Sequence, residues 1–110
     1  MKKILHIITK GEWNANNKEY RTESLLTQGF IHCSTPNQVV EVANFLFKGR
    51  NDLQILVIDA SKVKNIIKYE DAGDGELYPH IYGALNIDAV ISVLDFNADQ
   101  NGLFVLPKDI

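Results

Sequence analysis

Short apolar runs alternate with clusters of turn residues along most of the chain, and two different periods run through them. In KILHIIT (3–9) and GFIHCS (29–34) the spacing is that of strands, where alternate side chains share a face. Ile4, His6 and Ile8 then point one way and Leu5 and Ile7 the other. In the second run Phe30, His32 and Ser34 share one face, with Ile31 and Cys33 opposite. LQILVIDA (53–60) is apolar almost throughout, as expected of a central strand covered on both sides. NIIKYE (65–70), YPHIYG (78–83), AVISVLDF (89–96) and LFVLP (103–107) read as further strands, set apart by Asn, Asp and Gly. Pro79 has no N–H to give a ladder, so its strand is expected at a sheet edge or a bulge.

Two segments carry helical signals. TESLLTQ (22–28) has Thr22 as a cap and Gly29 as a stop. TPNQ (35–38) places Thr35 at an N-cap, Pro36 at the first helical position and Gln38 three residues after the cap, the pattern of a capping box. Val39, Val40, Val42, Ala43, Leu46 and Phe47 follow as an apolar stripe, and Gly49 closes the helix. Two helices among six or seven strands predict an α+β fold in one domain spanning residues 1–110.

Composition narrows the function classes. A content of 45% hydrophobic and 23% charged residues is that of a water-soluble globular chain. Net charge −3 with no basic cluster argues against extended nucleic-acid contact. No apolar run reaches the roughly 18 residues of a membrane span. The two lysines and brief apolar stretch at the start lack a small-residue cleavage site, so they read as a first strand of a cytoplasmic protein. The single cysteine allows no internal disulfide and suits a reducing compartment.

All three histidines lie in strand-like segments rather than polar loops. For each, the ordinary alternative is a core imidazole with its hydrogen bonds satisfied. Their neighbours favour a ligand cleft: His32 shares a face with Ser34, and His80 with Tyr78 and Tyr82. Ser34 either serves as a second-choice cap or meets an anion at the start of the following helix. Cys33, on the core face, reads as packing. HxxxH, HxH and CxxC spacings are absent, so no metal is expected. No phosphate-binding glycine loop is present either. Glu70, Asp71, Asp74 and Glu76 fall beside or within a turn-rich loop (71–76), where solvated carboxylates are the default reading.

ILHIITKGEW, SLLTQGFIHCSTPNQVVEVANFLF and YPHIYGALNIDAV together resemble the domain of unknown function 952 family, over nearly the whole chain. That family's pattern is in turn similar to the ADP-ribosyltransferase-like fold, a split β-sheet holding NAD in a cleft between its halves. The resemblance implies that His6 touches a ribose and that the His32–Ser34 strand flanks the nicotinamide. It implies a glutamate on a late strand, where this chain carries His80. An imidazole cannot supply the negative field that favours an oxocarbenium ion, and Glu70 is the candidate acid on a neighbouring strand. The candidate catalytic residues are therefore His80, His32 and Glu70, and the candidate ligand-binding residues His6, Ser34 and Tyr82. The implied ligand is NAD or an ADP-ribose-like nucleotide whose ribosyl group is transferred or cleaved. The competing reading is a catalytically silent module that binds a small molecule or protein in the same cleft.

Overall fold

A computed structural model describes residues 1–71 and 73–110. Position 72, inside the loop expected at 71–76, lies outside the described residues. The elements in chain order are β1 (Lys3–Thr9), β2 (Glu19–Tyr20), α1 (Glu23–Thr27), β3 (Ile31–His32), α2 (Val39–Leu46), β4 (Leu53–Asp59), β5 (Ile66–Asp71), β6 (Leu77–Tyr82), β7 (Leu85–Asn86) and β8 (Val90–Phe96). The class is α+β with two helices, as the periodicity predicts.

Three antiparallel sheets result, with orders β1-β4-β8, β2-β7 and β3-β6-β5. β4 is central because its side chains are apolar on both faces, and six of its seven residues are buried. The alternation of β1 divides the interior into two cores. Ile4 and Ile8 join Leu56, Ile58, Ile31 and Ile81 on one face. Leu5 joins Ile55, Val57 and Phe96 on the other, beneath Val39 and Ala43 of α2. Each fully buried Ile or Leu contributes about 1.5–3 kcal/mol relative to exposure, so these two faces hold β1 and β4 in register. The sheets containing β1 and β3 meet at a single bridge between Leu5 and Ser34, closed by N–H···O bonds of 2.7 and 2.8 Å. That seam is where the site forms.

Several expectations change. β6 is the middle strand of its sheet, not an edge or bulge. Pro79 is tolerated there because the register pairs it with Cys33, just where β3 gives out. Cys33 N–H donates to the Pro79 carbonyl at 3.0 Å, and only the return bond is lost. LFVLP forms no strand. It is held instead by Phe104, packed 4.7 Å from Phe96, and by its N–H bond to Asn44 Oδ1 at 2.8 Å. The second helix begins three residues later than Pro36, after a turn over 36–38, and the first keeps Thr22 at its cap position without a side-chain bond to the backbone. The Thr22 hydroxyl pairs with Ser24 Oγ at 2.6 Å, and Ser24 Oγ donates to the Phe30 carbonyl at 2.6 Å. These two bonds brace the entry to β3. Finally, β5 runs one residue beyond the strand expected at 65–70, so Asp71 belongs to it rather than to the solvated loop.

Candidate functional site

β5 and β6 form a hairpin in which Glu70 pairs with Tyr78 and Lys68 with His80. Ile66, Lys68 and Glu70 therefore share a face with Tyr78, His80 and Tyr82, and Glu70 sits diagonally opposite His80, within reach of a long side chain. His80 Nδ1 lies 2.9 Å from Glu70 Oε1. A carboxylate only accepts, so Nδ1 carries the proton and Nε2 of the neutral ring keeps its lone pair. The Tyr82 hydroxyl donates to the same carboxylate oxygen. Hydrogen bonds from Tyr82 and then His80 hold the Glu70 carboxyl below the usual carboxylate range, and the same bond raises the Tyr82 phenol. Tyr82 thus grips Glu70 behind His80.

On the other side of His80, Phe30 stacks against the imidazole with centroids 4.0 Å apart and planes 14° apart. His32 stands edge-on to the same ring at 5.4 Å, as expected for residues directly paired across β3 and β6. Its exposed side chain places Nε2 2.7 Å from Gln28 Oε1, just after α1. Burial first, and His80 second, lower the His32 pKa. His32 is therefore a neutral imidazole held by an amide.

His6 behaves differently. Its Nδ1 donates to the His32 carbonyl at 2.6 Å, so Nε2 accepts from the Tyr20 hydroxyl at 3.1 Å. Both nitrogens are engaged, and the ring is buried. Desolvation lowers its pKa, partly opposed by the bond to the His32 carbonyl. In this arrangement His6 fixes the strand that carries His32, and it has no free nitrogen for a ribose.

Ser34 is 5% exposed and His80 6% exposed. Among the described residues neither the Ser34 hydroxyl nor His80 Nε2 has a protein hydrogen-bond partner, and neither is sealed from solvent. Both residues line an open cleft of about 1130 Å³ at the β1–β3 seam. The space is large for a small-molecule site. Ile7, Val42, Phe45 and Leu46 form its apolar wall, and Glu41, Asp71 and Asp74 its charged rim. Glu70 and Tyr82 are not among the lining residues, so the carboxylate acts on the cleft through His80. Cys33 is buried in the first core, and burial pushes its thiol pKa up. Among the described residues no group of His, Cys, Asp or Glu is arranged to hold a metal ion.

Ahead of α2, at the expected anion site, one backbone N–H is already taken. Gln38 Oε1 accepts from the Thr35 N–H at 3.0 Å, while Gln38 Nε2 donates to the Leu77 carbonyl at 2.8 Å. The capping-box spacing foretells this backward reach of Gln38, but not its second bond across to β6. Gln28 and Tyr20 have no signal in the sequence that marks them as partners of histidines. Their roles follow from where α1 and β2 come to rest.

The chain matches, over residues 7–93, the family described as "Protein of unknown function (DUF952)", and it belongs to that family. Among solved structures it is similar to protein CC0527 from Caulobacter crescentus. The crystal structure of that protein shares 29% identity at a TM-score of 0.82, with 94% of each chain covered. Its solution NMR structure shares 28% identity at a TM-score of 0.83, covering 100% of this chain and 97% of that one. No curated protein matches the chain. No helix among the described residues is long and apolar enough to cross a membrane.

Proposed function

We propose that this member of the family binds a ribosyl compound in the cleft, of the class that NAD, its nicotinamide nucleoside and ADP-ribose derivatives represent, and cleaves or transfers its ribosyl group in the manner of the ADP-ribosyltransferase-like fold. The observation that carries the reading is the Glu70–His80 pair, in which an ionised carboxylate backs an imidazole whose Nε2 is free toward the cleft. It backs with an acid the position where the strand sequence offers only His80. In the reaction the bond from ribose C1′ to the nitrogen of the leaving group breaks, and the electron pair stays on that nitrogen. Water or an acceptor hydroxyl forms the new C1′–O bond and gives its proton to His80 Nε2. Glu70 fixes the tautomer and stabilises the imidazolium that forms. Ser34 offers its hydroxyl to the ligand, and His32 presents its edge to the same space. His6 and Tyr82 position these groups.

The test is release of nicotinamide from NAD or from nicotinamide riboside by the purified protein, followed chromatographically. His80→Gln is expected to lower turnover by about 10²–10⁴, the range of a positioned acid–base group, with the fold intact by circular dichroism. Absence of both turnover and binding in the folded wild type refutes the proposal. Binding without turnover supports the second reading, a silent binding module. The stacking of Phe30 on His80, which covers one face of the imidazole, favours that alternative.

A further inference from the structure

We infer that the cleft selects for positive charge: it holds the cationic ring and ribose of its ligand, and its lining repels a diphosphate rather than gripping it. This rests on the ribosyl reading of the same site and narrows its substrate class to pyridinium-type nucleosides.

The charged residues that line the cleft are Glu41, Asp71 and Asp74, and no Lys or Arg is among the described lining residues. Two of the carboxylates are fixed by the loop that carries them. Asp71 Oδ1 accepts from the N–H groups of Gly73 and Gly75 at 2.7 and 3.0 Å. Asp74 accepts from Glu76 N–H at 3.0 Å and from the Tyr78 hydroxyl at 2.8 Å. Hydrogen bonds from Glu76 and then Tyr78 lower the Asp74 pKa, so this charge persists at neutral pH. On α2, Glu41 and Phe45 are one turn apart and share a face, and Phe45 is 86% exposed. A carboxylate beside an aromatic face suits a flat organic cation.

The groups that could hold phosphate are committed elsewhere. Gln38 occupies the N–H of Thr35. The imidazoles of His6 and His32 are biased toward their neutral forms. Arg50 is paired with Asp52 at 2.7 Å, and Lys68 lies over the Tyr82 ring at 4.7 Å. What remains deep in the cleft has no hydrogen-bond partner among the described residues: the Ser34 hydroxyl and His80 Nε2, suited to ribose hydroxyls or an attacking water. Uncommitted hydrogen-bonding groups at the floor and negative charge at the rim match a cationic nucleoside. They oppose a doubly charged linker.

Calorimetric titration with four probes tests this: nicotinamide riboside, its uncharged dihydro form, ADP-ribose, and benzyltrimethylammonium as a cation without ribose. Nicotinamide riboside is expected to bind at least about tenfold more tightly than either its dihydro form or ADP-ribose, a difference of about 1.4 kcal/mol. The preference should shrink in high salt and in the Glu41→Gln/Asp74→Asn double variant, whose remaining amide oxygen keeps an acceptor for the Glu76 N–H. ADP-ribose binding as tightly as nicotinamide riboside would overturn the inference and leave the ribosyl reading standing. Benzyltrimethylammonium binding as tightly as the riboside, with the same dependence on Glu41 and Asp74, would keep the charge selection and remove the ribosyl reading. If none of the four binds to folded protein, both fall.

Discussion

His6→Leu isolates the histidine that the structure assigns to bracing. The substitution keeps an apolar side chain on β1 but leaves the His32 carbonyl and the Tyr20 hydroxyl without their partner. Each buried orphan costs about 1–3 kcal/mol, so the pair costs roughly 2–6. Better transfer of leucine offsets about 1–2 of this, for a net loss of about 1–4 kcal/mol. Adding Tyr20→Phe removes one orphan and should return about 1–2 kcal/mol, a coupling that two unrelated core defects would not show. The pH response is the second signature. Burial lowers the His6 pKa below its ordinary 6.5, so the unfolded chain binds a proton that the folded chain refuses. Stability is then fully present above pH 6.5 and is lost as pH falls toward the folded pKa, by at most about 1.4 kcal/mol per pH unit. His32 is shifted the same way but titrates in both proteins, so the difference between wild type and His6→Leu reports His6. Urea denaturation followed by far-ultraviolet circular dichroism at pH 7.5, 6.5 and 5.5 measures both effects. Parallel pH profiles for the two proteins, or no recovery on adding Tyr20→Phe, would refute the bracing role.

Glu70→Gln keeps an oxygen for His80 and Tyr82 but removes the charge. Turnover should fall at least about tenfold, and unchanged turnover would show that the carboxylate is not needed. The wild type should also lose the Glu70 contribution to stability as pH drops below about 4.5, because its folded pKa lies under that value; Glu70→Gln should be flatter there. Gly83 has φ +143°, and a Cβ there would sit 2.5 Å from Asn65 Nδ2, so Gly83→Ala should destabilise by about 1–3 kcal/mol in the same denaturation assay. Wild-type stability in that variant would mean that the loop after β6 shifts freely. Cys33 should react slowly with iodoacetamide at pH 7.5 and quickly in urea; fast labelling of the native protein would place the thiol in the cleft.

The parts of the fold legible in the sequence are those set by alternation within one segment. Ile4 and Ile8 against Leu5, and Ile31 and Cys33 against Phe30 and His32, separate in the structure as the period of two requires. The helix signals place both helices and the cap position of α1, but set the start of α2 three residues early, and a capping side chain is free to choose another partner, as Thr22 does in Ser24. LFVLP fails as a strand because an apolar run specifies burial, not a neighbour: Phe104 is buried against Phe96, and the backbone beside it bonds to Asn44.

The site shows where local reading stops. Grouping Tyr78, His80 and Tyr82 needs only the period of β6, whereas bringing Glu70 to His80 needs the hairpin register. That register is set by the residues between Asp71 and Leu77, a segment with several Gly and Asp residues that is compatible with more than one pairing. A slip of one residue would turn Glu70 to the opposite face, where Ile67 and Ile81 pack, and an unpaired carboxylate there is costly. The hydrophobic pattern thus enforces the pairing that creates the acid–imidazole couple, even though neither residue's own surroundings in the sequence announce it. The same reasoning explains His6. Its face is legible as a core face, and a histidine among Ile4, Ile8 and their neighbours must satisfy both nitrogens inside the protein. It does so with the His32 carbonyl and the Tyr20 hydroxyl, and chemistry passes to His80, whose Nε2 is left open to the cleft.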